Sequence, residues 1–300
     1  MMIVEQNVIE GRPIMARCEV CFRHCDLKEK QIGFCGAREN RGGVISCRTY
    51  GQLSSLALDP IEKKPLAHFY PGSLILSAGS LGCNLRCPFC QNHEIAQRGN
   101  SGSFSVQTEW IEPSRLVTLA ERCRNRGNIG IAFTYNEPLV GYEYVLDTSR
   151  LARKRGLKNV LVTNGTASLE VLSRIAPYID AMNIDLKGFT DEYYCEILQG
   201  DRRMTMEFIG EAVRGCHVEL TTLIVPGMND TEEEMQELSS WVAGLKKVYG
   251  GKSGNEIPLH VTRFFPRHRM IDRAATDVGA VYHLAEIARE NLKYVHVGNC

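Results

Sequence analysis

Cys83, Cys87 and Cys90 lie in the run Gly82-Cys83-Asn84-Leu85-Arg86-Cys87-Pro88-Phe89-Cys90-Gln91-Asn92. The C-x3-C-x2-C spacing puts three thiolates on one short loop, able to converge on a metal centre, and thiolates are the ligands that iron–sulfur clusters require. Ordinary ferredoxin cubanes use four cysteines. A cubane held by three keeps one iron free of protein, and a free coordination site is what substrate chemistry needs. A zinc loop, or a chance group of buried cysteines, is the plainer reading. Zinc loops more often use paired C-x2-C knuckles, and no second knuckle follows here.

A second set, Cys18-x2-Cys21-x3-Cys25-x9-Cys35, supplies four soft ligands, with His24 and Cys47 to spare. Four thiolates suffice for a closed tetrahedral zinc or for an auxiliary [4Fe-4S] cluster. A small loop-rich segment with few large apolar residues needs a staple to fold, which tilts the reading slightly toward zinc. Cys123, Cys195, Cys216 and Cys300 are scattered singly. The cytosol keeps thiols reduced, so closely spaced cysteines there argue for metal or catalysis over disulfides.

Composition narrows the partners. Lys+Arg and Asp+Glu both total 35, so no net field favours nucleic acid or an anionic membrane. No apolar run approaches the roughly 18 residues a membrane span needs. The opening MMIVEQNVIEGRPI lacks the basic flank and apolar stretch of a signal peptide. The expectation is a cytoplasmic protein with neither a membrane nor a nucleic acid as partner.

The elements that must hold these residues are regular from about residue 71. Short β-rich runs alternate with helix-length amphipathic stretches, the pattern of βα units and a parallel sheet. Strands are expected at Leu74–Ser80, Ile129–Tyr135, Asn159–Asn164, Ala181–Leu186, His217–Val225 and Ile257–Phe264, with a further edge at Tyr294–Gly298. Pro258 is tolerable only because it sits at its strand's beginning. One helix starts at Pro113 and ends by Gly127; another starts with a capping-box-like Asp230 and Glu233. The fold class is therefore α/β, a partial (β/α)6 TIM-like barrel over 71–300. Residues 1–70 form a small cysteine-rich N-terminal appendage, in which Val44–Leu53 forms a short hairpin after Arg41-Gly42-Gly43.

In parallel α/β folds ligands bind beyond the carboxyl ends of the strands. The loops there carry Thr134-Tyr135-Asn136-Glu137-Pro138, whose Glu137 can accept from a ligand ammonium group, and Val162-Thr163-Asn164-Gly165. They also carry Asn183-Ile184-Asp185-Leu186-Lys187-Gly188, where Asp185 and Lys187 point to one side. The plain alternatives are a helix-start carboxylate for Glu137 and a surface ion pair of little worth for Asp185 and Lys187. Val225–Asp230 is either a ligand-side turn or a simple strand–helix turn. His260 reads as a structural hydrogen-bonder, Arg263 as a candidate partner for a substrate carboxylate, and Phe264–Arg269 as a rim of the opening.

The triplet, with an aromatic Phe89 before its third cysteine, resembles the signature of the radical S-adenosylmethionine (SAM) superfamily, whose fold is a partial (β/α)6 barrel. The resemblance implies a [4Fe-4S] cluster on Cys83, Cys87 and Cys90, with SAM chelating the fourth iron. It also implies reductive SAM cleavage to a 5′-deoxyadenosyl radical and a one-electron donor of flavodoxin or ferredoxin type. Glu137 falls at the place of the family's Gly-Gly-Glu motif, with Tyr135 and Asn136 replacing its glycines. Asp185-Leu186-Lys187 matches a D-L-K run of the pyruvate formate-lyase activating enzymes. By this resemblance Glu137, Asp185, Lys187, Thr163, Asn164 and Phe89 position SAM, and no residue stands out as an acid–base catalyst.

The N-terminal cysteines, the run Asp59–Leu66, Pro71-Gly72-Ser73 and Gln91-Asn92 resemble the radical SAM component of the AmmeMemoRadiSam system. That group is commonly labelled a homologue of pyruvate formate-lyase activating enzyme. Activases with extra ferredoxin cysteines usually carry them after the signature, whereas here they precede it. That group also often runs on into a C-terminal C-x2-C segment, whereas this sequence stops at Cys300, which is consistent with a shortened C-terminus. The radical's target, a partner protein or a small molecule, is not written in the residues. An RNA-modifying enzyme and a non-catalytic iron–sulfur protein are the competing readings.

Overall fold

A computed structural model describes residues 15–99 and 102–300; the opening segment read above for a signal peptide lies outside them. Eight strands form one sheet in sequential order: β1 (Ser55–Pro60), β2 (Leu74–Gly79), β3 (Asn128–Thr134), β4 (Lys158–Thr163), β5 (Ala181–Asp185), β6 (His217–Ile224), β7 (Leu259–Arg263) and β8 (Val295–Gly298). The strands β2 to β8 run parallel, while β1 pairs antiparallel with β2 in the register Ser55↔Gly79. β1 and β8 are the two edges, so the sheet is an unclosed barrel. Pro258 precedes β7, where its missing N–H costs no ladder bond and its carbonyl accepts from Leu220 N.

Six helices follow the strands: α1 (Pro113–Arg122), α2 (Tyr142–Lys154), α3 (Leu169–Ile175), α4 (Arg202–Gly215), α5 (Glu232–Ala243) and α6 (Val278–Arg289). Their apolar stripes bury against the outward strand residues; Leu116, Val117 and Ala120 of α1 meet the same core as Ile131, Phe133, Leu161 and Met182. Each such fully buried aliphatic or aromatic side chain contributes about 1.5–3 kcal/mol. Pro113 opens α1, as expected, and Gly127 ends the short turn that follows it, with φ 91°. The start of α5 differs from the expected one. Its cap is Thr231, whose hydroxyl accepts from Glu234 N, because Asp230 is already taken by Gly227 N in the preceding turn.

Inside the barrel, residues 61–73 fold back under the strands' amino ends. Ile61, Leu66 and Phe69 fill the floor against Ile75, Ala132, Val160 and Ala181. Asn183 Nδ2 donates to Pro65 O at 2.8 Å, and Glu219 ties the plug down. The Glu219 carboxylate, fully buried, accepts from Ala67 N (2.9 Å), His68 N (2.7 Å), His217 Nε2 (2.9 Å) and His260 Nε2 (2.7 Å). Burial would raise its pKa, but these donors prevail and hold it at about 2. His260 thus sits at the barrel floor and serves structure. Across the open edge, His68 Nε2 lies 2.8 Å from His296 Nε2.

The N-terminal region is built from short strands. Met15–Arg17 pairs with Asp26–Lys28, and Arg38–Arg41 with Val44–Cys47 across Gly42-Gly43, both at positive φ. The hairpin expected within Val44–Leu53 forms instead on either side of that glycine turn, where two successive glycines at positive φ reverse the backbone cheaply. Gln52–Leu53 pairs with Glu109–Trp110. The antiparallel edge β1 also comes from before residue 71, so one sheet joins the two segments. Among the described residues no helix is long and apolar enough to cross a membrane.

Candidate functional site

The triplet follows β2, at the carboxyl end of the sheet, in a loop fixed by its backbone. Gly82 N donates to Ile95 O, Glu137 N and Asn136 Nδ2 donate to Gly82 O, and Arg86 N donates to Leu198 O. Gly82 takes φ 98°, and a Cβ there would stand 2.6 Å from Cys35 O, so only glycine lets the N-terminal cysteine loop lie against this one. Cys83 Sγ accepts from Leu85 N (3.4 Å) and Asn164 Nδ2 (3.7 Å). Cys87 and Phe89 are buried in one cluster with Leu85, Tyr193, Tyr194 and Phe264, the Phe89 and Phe264 rings meeting edge to face at 6.2 Å.

Burial raises all three thiols, Cys87 to about 11, and mutual repulsion adds to this for Cys83 and Cys87. Metal-free, they stay protonated; a cationic centre would reverse that balance. Three soft donors on one loop suit an iron–sulfur cubane with one iron left free of protein. Among the described residues no three His, Cys, Asp or Glu side chains already stand at ligand geometry, so binding would draw the thiols inward.

The expected ligand-side residues gather round this loop. Glu137 is 2% exposed. Its Oε1 accepts from Leu139 N (3.0 Å) and Thr163 Oγ1 (2.8 Å), and its Oε2 from Asn164 N (2.7 Å). Burial outweighs these bonds and pushes the carboxyl up to about 7. Three of four lone-pair directions are used, leaving one for a further donor. Tyr135 keeps the left-handed backbone a glycine would favour, at φ 75°, and turns its ring into the barrel, where its hydroxyl donates to Asp59 Oδ2 at 2.6 Å. Asn136 Nδ2 bonds Ser80 Oγ at 3.0 Å.

Lys187 Nζ and Asp185 Oδ2 meet at 2.7 Å, with side chains 18% and 31% exposed, so the pair is half-buried and not a surface one. Burial opposes the Lys187 charge, but Asp185 and Cys87 beside it prevail and raise its pKa. Asn229, in the turn after β6, donates to Lys187 O and Leu223 O, each at 2.8 Å, tying two ligand-side loops together. Phe264 packs on this cluster, and Arg269 N donates to Pro88 O, so the segment after β7 does border the opening. Arg263 Nε donates to Thr276 O at 2.7 Å, and its guanidinium lies over Phe265.

The four N-terminal thiols line one enclosed cavity with Arg23 and Arg38. Its volume is about 10 Å³, room for one water or one ion. Burial raises Cys18, Cys35 and Cys21, the last to about 12. The spare residues are engaged elsewhere, His24 with Glu19 at 2.6 Å and Cys47 with Thr49 Oγ1 at 3.6 Å.

Sequence reasoning missed what joins the two cysteine sets. Arg23 donates to Asn84 O (2.7 Å) and Gln199 O (2.5 Å), and its guanidinium lies 3.3 Å from the Phe34 ring centre. Arg86 lies over the same ring at 3.7 Å and donates to Phe34 O, Cys83 O and Leu85 O. Asn84 accepts from Asn164 Nδ2 and donates to Thr166. No local spacing signals contacts between residues so far apart, although the position of Asn84 and Arg86 inside the triplet was a hint.

An unclosed parallel barrel with three cysteines after its first parallel strand defines a class, and comparison with known proteins agrees. The model of the radical SAM superfamily matches residues 79–242. The chain belongs to the radical SAM superfamily and is similar to its pyruvate formate-lyase activating enzymes. It is 39% identical to an uncharacterised protein of Methanocaldococcus jannaschii over 94% of this chain and 81% of that one. It is 24% identical to the pyruvate formate-lyase 1-activating enzyme of Escherichia coli over 56% of this chain and 68% of that one. Among solved structures, Streptococcus suis SuiB superposes with a TM-score of 0.55 at 14% identity, covering 75% of this chain and 48% of SuiB.

Proposed function

We propose that the chain is an activase-like radical SAM enzyme in which Cys83, Cys87 and Cys90 hold a [4Fe-4S] cluster. The observation that carries this reading is the three-thiol loop, with Cys87 buried, ringed by Glu137, Asn164 and the Asp185–Lys187 pair. The cluster with bound SAM supplies one-electron cleavage of the sulfonium to a 5′-deoxyadenosyl radical that abstracts hydrogen. The free lone pair of Glu137 receives the methionine ammonium, and Thr163 and Asn164 hold that carboxylate in place. Lys187, oriented by Asp185, meets the ligand carboxylate or a ribose hydroxyl, and Phe89 with Phe264 keeps water from the sulfur side. Similarity to a pyruvate formate-lyase activating enzyme supports a polypeptide as the target, by analogy a glycine of a partner enzyme. We place the reaction in the cytoplasm, fed by a flavodoxin or ferredoxin.

Cys18, Cys21, Cys25 and Cys35 make, in this reading, a structural zinc site in the cysteine-rich segment that precedes β1. Four thiolates on a small loop-rich segment that needs a staple to fold support zinc.

The test is anaerobic reconstitution with iron and sulfide, then dithionite and SAM. The expected product is 5′-deoxyadenosine, lost in Cys87→Ala. A fully formed cluster that yields no 5′-deoxyadenosine refutes the assignment.

A further inference from the structure

The cavity shared by Cys18, Cys21, Cys25 and Cys35 is lined by two arginines, Arg23 and Arg38, and among the described residues by no carboxylate. The two cations are bound very differently. Arg23 is committed, donating to Asn84 O and Gln199 O and lying on the Phe34 ring. Arg38 is 5% exposed, and its Nη1 alone donates to both oxygens of Glu143, at 2.7 Å each. Its Nε is buried and has no hydrogen-bond partner among the described residues.

An arginine kept only for an ion pair commonly meets its carboxylate through two parallel N–H···O bonds. Here one nitrogen serves both oxygens, and Nε is left over. A buried donor without an acceptor is costly and uncommon. Its place is set by the backbone: Arg38 opens the strand Arg38–Arg41, and its carbonyl accepts at 2.9 Å from the amide of Gly33, which lines the same cavity. The cysteines supply the missing acceptor. A protonated thiol accepts weakly, but the thiolates that ligate a metal accept well, and four of them carry more negative charge than one divalent ion cancels. An N–H from a buried cation orients such a sulfur and spreads the excess charge. Cys18 and Cys35 both lie within electrostatic range of Arg38, which acts more strongly on Cys18.

We propose that Arg38 is a positioning residue of the N-terminal metal site, its Nε donating to the Cys18 thiolate once the four sulfurs ligate an ion. Glu143 holds the guanidinium for that bond. Because Glu143 belongs to α2, the same bridge fastens the metal-bearing segment to the barrel. The role rests on the reading of these four cysteines as metal ligands and adds the residue that steadies them.

The test uses the full chain loaded anaerobically with cobalt(II) in place of zinc. The part of the signal lost in Cys18→Ser/Cys21→Ser belongs to this set. Affinity is read by competition with a chelator, and the thiolate-to-cobalt charge-transfer bands report electron density on the sulfurs. Arg38→Met should weaken binding about 10- to 100-fold and move the bands to lower energy. Arg38→Met/Glu143→Gln, which leaves neither member of the pair charged, should do the same with the fold intact by circular dichroism. Arg38→Lys keeps the charge but lacks the Nε donor; it should recover part of the affinity and leave the bands shifted. Arg41→Gln, an exposed arginine of the same hairpin, should change neither. Unchanged affinity and bands in the double variant overturn the proposal. So does full rescue by Arg38→Lys, which would reduce Arg38 to a charge. Wild-type protein whose cobalt signal does not depend on Cys18 and Cys21 would remove the metal reading and this role with it. Normal wild-type binding with indifferent Arg38 variants refutes the role of Arg38 alone.

Discussion

Glu219 offers the sharpest test of how the barrel floor supports the loops above. Its two oxygens accept from two backbone amides and two imidazoles. Glu219→Gln puts an amino group where one oxygen was. A histidine can switch tautomer to meet it, but either Ala67 N or His68 N then loses its acceptor in a buried place. Losing a bond to a charged acceptor and orphaning its donor costs about 3–5 kcal/mol. The pKa gives a second route: from an ordinary 4.5 to about 2 is 2.5 units, and at 1.36 kcal/mol each this makes about 3.4 kcal/mol. The folded pKa is depressed, so this stability is complete above about pH 5 and is lost as pH falls toward 2. By pH 3 about 2 of the 3.4 kcal/mol is gone. Urea unfolding followed by circular dichroism should therefore show Glu219→Gln less stable by about 3 kcal/mol at pH 7 and by about 1 at pH 3. A gap below 1 kcal/mol at pH 7, or one that does not shrink with acid, would refute the account of this knot.

Three further outcomes follow from the site. Gly82→Ala forces a Cβ within 2.6 Å of Cys35 O at φ 98°; it should cost about 2 kcal/mol or more and lower iron uptake with every cysteine intact, so wild-type iron content would contradict it. Cys18→Ser/Cys21→Ser should remove one equivalent of zinc by metal analysis, whereas loss of about four irons would replace the zinc site with a cubane. Lys187→Met leaves the half-buried Asp185 without its cation and should weaken SAM binding about tenfold by equilibrium dialysis; unchanged affinity would remove Lys187 from the ligand shell.

How much of this was legible in the sequence depends on range. The parallel strands announce themselves because each is a short β-rich run between turn residues, and their ends fall within about two residues of expectation. β1 does not, since Ser55–Pro60 reads as mixed polarity ending in proline; what makes it a strand is the exposed edge of β2 beside it. The start of α5 was misplaced by one residue because Asp230 and Thr231 are both good caps, and a turn contact to Gly227 decides between them. The triplet is local chemistry and was plain. The plug over 61–73 was not, because Glu219 meets Ala67 and His68 from about 150 residues away, and a lone glutamate in a strand carries no mark of that.

The same distinction bears on why the N-terminal cysteines precede the triplet. Thiolates packed close together repel and resist ionisation in a buried site, so two neighbouring sets need shared positive charge. Arg23 supplies it, sitting within electrostatic range of Cys21, Cys25, Cys35 and Cys83 at once. With Arg86 it clamps Phe34 between two guanidiniums, and both arginines also hold backbone carbonyls of the triplet loop or its neighbours. Cation–π contacts of half-buried guanidiniums are worth roughly 0.5–1 kcal/mol each, reduced here by the repulsion between the two arginines, and they add to the hydrogen bonds that fix a loop with almost no secondary structure of its own. An ion held by the first cysteine set would thereby also stiffen Cys83-Asn84-Leu85-Arg86.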